Sequence, residues 1–65
     1  MLKLWVLYGK NFNHRWVIKT FRSKESAIDA WKGERETMKT SRRGWWVDQD
    51  IDKAIQEIEV EERGD

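Results

Sequence analysis

Apolar and polar positions change period along this chain of 65 residues, and each change marks an element. Residues 2–8, LKLWVLY, read as a strand. Leu2, Leu4, Val6 and Tyr8 fall on one face and Lys3, Trp5 and Leu7 on the other, because successive strand side chains alternate. Residues 15–22, RWVIKTFR, are rich in β-branched and aromatic side chains and predict a second strand. Strict alternation groups Trp16, Ile18 and Thr20 against Arg15, Val17, Lys19 and Phe21. The intervening Gly9, Asn11 and Asn13 are residue types that turns use to reach φ > 0. The two strands therefore form an antiparallel hairpin with a loop of about five or six residues. Phe12 lies in that loop and either folds back as a plug or stays out as a contact.

The period then becomes helical. Ser23 is a good N-cap, and Glu25 places negative charge near the positive end of the helix dipole. Ala27, Ile28, Trp31 and Met38 fall near one stripe, which is expected to cover the sheet face bearing Leu4 and Val6. The second half of the helix is polar and contains Gly33, so it reaches the high thirties and frays. Arg42 and Arg43 sit near its negative end, with Gly44 as a left-handed stop.

The last third carries two signals. Ile51, Ala54, Ile55 and Ile58 match the helical template, with Asp48 or Asp50 as cap. Ile58 and Val60 alternate with glutamates as an edge strand would. The reading is a short helix near 50–56 running into a strand near 57–62, with a second hairpin formed by residues 45–50 and 54–62 as the rival. Either arrangement is an α+β fold: a small antiparallel sheet packed against one main helix. Residues 1–65 form a single compact domain, with the final Arg63-Gly64-Asp65 as a loose end.

Composition narrows the class of protein. At this size the core rarely supplies more than about 3–5 kcal/mol. There is no cysteine, so there is neither a disulfide nor a thiolate zinc site. The apolar opening is too short to span a bilayer and lacks the pattern of a signal peptide. These features predict a cytoplasmic protein with no membrane partner. Net charge is +1, but residues 1–44 carry eleven Lys/Arg against four Asp/Glu, and residues 45–65 carry two against eight.

Candidate chemistry is sparse. His14 is the only histidine, and no serine has a His–Asp pair near it in sequence. Asp48, Asp50 and Asp52 alternate as in the start of a calcium loop, but Lys53 stands where that loop needs glycine, and a capping cluster is the better reading. There is no Gly-rich phosphate loop. The chain is expected to be non-enzymatic, with no cofactor, no metal and no small-molecule substrate.

Surface is what remains. Five tryptophans are many for so small an interior. Trp45 and Trp46 are neighbours, and one core cannot easily take both rings, so Trp46 is expected to cap the open end of the core and Trp45 to stay at the rim, or the reverse. At least one of Trp5, Trp16, Trp45 and Trp46 should be substantially exposed. These four, with Arg15, Lys19, Arg42 and Arg43, form the candidate partner-binding set, because Trp and Arg dominate interface hot spots. The expected partner is another protein or a second copy of this chain, in keeping with a small regulator or inhibitor of a larger protein. The alternative is nucleic acid, with bases stacked on the aromatics and Lys3, Lys10 and the other cations on phosphate. A further alternative is that the acidic tail mimics nucleic acid.

Overall fold

A computed structural model of the chain describes residues 2–61. Strand β1 spans Leu2–Lys10, β2 Arg15–Phe21, helix α1 Lys24–Thr40, the one-turn helix α2 Ile51–Ala54, and strand β3 Ile55–Val60. The sheet is antiparallel with order β2-β1-β3. This is the α+β architecture that the periodicity predicts. β3 pairs with β1 and follows α2 directly, so the rival second hairpin does not form. The loose end expected at residues 63–65 lies outside the described residues.

β2 and β3 both run antiparallel to β1, so they are parallel to each other and the chain must cross over β1 between them. That crossover is α1, and it covers one face of the sheet. Ser23 caps it as expected, its Oγ accepting from Ser26 N–H at 3.1 Å. Its C-cap is Ser41 in extended conformation, donating to the Thr37 carbonyl. No glycine among the described residues has positive φ, which corrects the left-handed role expected of Gly44 and the turn role expected of Gly9. The hairpin loop, residues 11–14, turns on a side chain instead: Asn11 Oδ1 accepts from Asn13 and His14 N–H at 2.8 and 2.7 Å.

The face of the sheet that the helices cover is the reverse of the one expected, although Val6 on the other face is also buried, 3% exposed. Leu7 is 1% exposed and clusters with Trp31, Val47 and Ala54, and Ile18, Phe21, Ile51 and Ile55 pack around them. The helices thus cover the Lys3-Trp5-Leu7 face, not the face of Leu4 and Val6. The pattern of β1 is apolar on both faces, so alternation alone could not choose between them.

Strict alternation also fails in β2. Trp5 pairs with Phe21, Val6 with Thr20 and Leu7 with Lys19, but Tyr8 pairs with Val17, because the register shifts at Leu7/Tyr8. The bulge leaves Ile18 as an extra residue and inverts the parity of everything beyond it. Trp16, Ile18 and Phe21 therefore share the helix side, and Val17 and Thr20 share the other. Gly9 is buried opposite Trp16, and a Cβ there would stand 3.0 Å from Trp16 Nε1 and 3.1 Å from Ile18 Cδ1. The glycine is required by the indole lying on the strand, not by a turn.

Candidate functional site

The hairpin tip and the segment after α1 meet at one end of the sheet. Lys10 and Trp46 exchange both backbone hydrogen bonds, Lys10 N–H to the Trp46 carbonyl at 2.8 Å and Trp46 N–H to the Lys10 carbonyl at 2.9 Å. This single bridge orders the two adjacent tryptophans. Trp46 and Asp48 fall on the side of Lys10, and Trp45 and Val47 on the other, as alternation in an extended segment requires. Val47 is fully buried, and the Trp31 indole N–H donates to the Asp48 carbonyl at 2.8 Å. The residue that closes this end of the core is thus Val47, which corrects the capping role expected of Trp46.

Four of the candidate residues gather here. Trp45 packs edge-on against Trp16 with centroids 5.8 Å apart, and the Arg43 guanidinium lies 3.6 Å from the Trp45 ring centroid. Arg43 also pairs with Glu34 of α1. Trp46 meets Phe12 edge to face at 5.0 Å. Arg42, a fifth candidate, precedes Arg43 in the chain and is exposed.

The remaining candidates lie elsewhere. Trp5 stands on the helix side, where with Ile28, Ile51 and Ile55 it lines a cleft of about 480 Å3 rimmed by Lys24, Asp52 and Glu57. Arg15 lies on the opposite sheet face, its guanidinium 3.7 Å from the Tyr8 ring centroid and its Nη2 donating to the Lys53 carbonyl. Lys19 sits at the outer edge, its amine 5.5 Å from the Phe21 ring centroid.

None of the four candidate tryptophans is exposed; all are half-buried, because each ring is covered by a neighbour. The expectation of a substantially exposed tryptophan is therefore not met. The exposed apolar side chains are Phe12 at 91%, Val17 at 53% and Val60 at 39%. Phe12 stays out, which decides between its two sequence readings. The signal for it was weak: an aromatic between two turn-forming asparagines has no strand alternation to assign it a side.

The alternating aspartates act as caps. Asp48 Oδ1 accepts from Asp50 N–H at 2.9 Å, and Asp50 Oδ1 accepts from Asp52 N–H at 3.0 Å to start α2. Asp48 Oδ2 also pairs with Lys10 Nζ at 2.9 Å. The hydrogen bond from Asp50 N–H, with that from Lys10, holds the Asp48 carboxyl below the usual carboxylate range. Among the described residues no helix is long and apolar enough to cross a membrane.

No protein-family model, curated protein or solved structure matches the chain.

Proposed function

We propose that the chain is a small non-enzymatic protein-binding module, acting as a regulator or inhibitor of a larger protein, with Phe12 as its anchor. The observation that carries this reading is an aromatic side chain 91% exposed on a loop that is held in place. The Asn11 turn fixes its backbone, and the Trp46 edge supports its ring. A preorganised aromatic that loses little freedom on docking has the character of an interface hot spot. Trp46 extends the apolar contact behind it, and the exposed Asn13 and His14 follow it in the loop.

Protein is favoured over nucleic acid by what the nearby cations already do. Lys10 is paired with Asp48, Arg43 with Glu34, and Arg15 is spent on Tyr8 and the Lys53 carbonyl. A phosphate-tracking surface keeps such charges free for the backbone it binds.

The test is affinity capture by the full chain from nuclease-treated lysate. A defined protein should be retained by the parent and lost by Phe12→Ala, while the variant melts as the parent does. Retention that vanishes with nuclease, or that survives Phe12→Ala, overturns the reading.

A further inference from the structure

The cleft beside Trp5 shares no residue with the hairpin tip. The sheet forms its floor, with Trp5 on β1 and its cross-strand partner Glu57 on β3. Helix α1 forms one wall with Lys24 and Ile28, which are one turn apart and so share a helix face. Helix α2 forms the other with Ile51 and Asp52, and Ile55 carries that wall down into β3. The volume of about 480 Å3 falls within the range of about 300–1,000 Å3 typical of small-molecule sites.

The apolar surface of the cleft is not spent on the core. Trp5 and Ile28 are half-buried, yet neither packs against the cluster around Leu7 and Trp31. Ile28 thus leaves the core stripe that the helical period assigns it. Among the described residues Trp5 is also the one tryptophan whose ring pairs with neither an aromatic nor a cationic side chain.

Charge is divided between the two sides. Lys24 stands on α1, and Asp52 and Glu57 stand on the side of α2 and β3. Among the described residues none of the three is in an ion pair. A purely cationic ligand would meet Lys24 as a like charge, and a purely anionic one would meet two carboxylates. An uncharged apolar ligand would take water from three charges and give them no partner. A molecule that bears both charges beside an apolar group meets every side chain of the lining.

We infer that the cleft binds a free α-amino acid with a large apolar side chain. Its ammonium has three N–H donors and bridges the carboxylates of Asp52 and Glu57. Its carboxylate accepts from Lys24 Nζ, and its side chain lies on Trp5 between Ile28 and the two isoleucines of the opposite wall. The lining holds no hydroxyl, thiol or imidazole, so the ligand is held and not turned over. The three charged side chains are exposed, so their pairs with the ligand are screened and each contributes little. The affinity is accordingly modest, with Kd on the order of 0.1–1 mM.

Titration of the isotope-labelled full chain with L-leucine, followed by two-dimensional amide and indole NMR, tests this. The Trp5 indole signal, identified by its absence from Trp5→Phe, should shift and saturate while the Trp46 indole stays in place. N-acetyl-L-leucine lacks the positive charge and L-leucinamide the negative one, and each should bind about threefold more weakly or worse. L-alanine lacks the apolar stem and should bind about tenfold more weakly. Lys24→Gln and Asp52→Asn/Glu57→Gln change exposed side chains outside the core, so both should fold, as circular dichroism will check. Lys24→Gln should lose the preference for L-leucine over L-leucinamide, and Asp52→Asn/Glu57→Gln the preference for L-leucine over N-acetyl-L-leucine. A Trp5 signal that does not move, equal affinity for L-leucine and both blocked forms, or variants that keep the parental preferences overturn the proposal. Tighter binding of L-leucinamide than of L-leucine overturns it too, since that marks a plain cation site. So does self-association through the cleft, seen as Trp5 shifts that follow protein concentration without L-leucine. Phe12→Ala should bind L-leucine as the parent does, which keeps the result independent of the hairpin tip.

Discussion

Phe12 and Trp46 meet edge to face at 5.0 Å, yet Phe12 leaves 91% of its surface in solvent. The contact fixes a ring without burying it. Phe12→Ala should therefore change stability by no more than about 0.5 kcal/mol, as for other exposed positions. The same variant should lose about 2 kcal/mol or more of partner binding, roughly thirtyfold in affinity. Thermal melting and titration of the captured partner separate the two effects; a variant that destabilises and binds normally would reassign Phe12 to folding.

Trp31 has the opposite character. It is 8% exposed, packs on Leu7, and its indole N–H satisfies the Asp48 carbonyl. Trp31→Ala should cost about 3–5 kcal/mol, comparable to the whole stability of a domain near the lower limit. The expected result is a chain largely unfolded at 25 °C by circular dichroism. Trp31→Phe keeps most of the volume and should cost about 1–3 kcal/mol for the carbonyl left without its donor.

Gly9→Ala tests the close approach of the second tryptophan. The new methyl meets Trp16 and Ile18 at 3.0–3.1 Å, and Trp16 is held from behind by Trp45. The variant should lose about 1–3 kcal/mol through overpacking. Adding Ile18→Val removes the Cδ1 contact and should recover part of that loss. Chemical denaturation of the single and double variants gives both numbers.

Acid should weaken the join between β1 and the segment after α1. The Asp48 carboxyl is held below its unfolded value, so its contribution is full at neutral pH and is lost as pH falls through the lowered value. Asp48→Asn should be less stable than the parent at pH 7, and the gap should narrow as the parent's own carboxylate is protonated. Melting temperatures of the two chains from pH 7 down to the acid limit show whether the curves converge.

Much of the fold was legible because its signals are local. Ser23 caps α1 through a bond three residues away, and Asp50 starts α2 through one two residues away. The short helix running into a strand was also readable, because Ile51, Ala54 and Ile55 repeat helically before Ile58 and Val60 begin to alternate. The boundary fell slightly early, at Ile55, where pairing with Leu7 claims the residue for the sheet. The candidate site was legible in residue type more than in place. Trp16, Trp45, Trp46 and Arg43 converge, but Trp5, Arg15 and Lys19 separate, because three different sides of the sheet hold them.

What the sequence by itself determined, then, is the set of elements and their order, since hydrophobic period and end caps act within a few residues. Tertiary structure alone decided which face of β1 the helices cover, because both faces are apolar and only the docking of α1, Val47 and α2 on Leu7 distinguishes them. It alone decided the parity of β2, because the bulge at Ile18 follows from pairing with β1 and leaves no mark in the alternation of β2 itself. And it alone decided the fate of the adjacent tryptophans. The Lys10–Trp46 bridge joins residues thirty-six apart in the chain, and that long-range hydrogen bonding sends one ring to Trp16 and the other to Phe12.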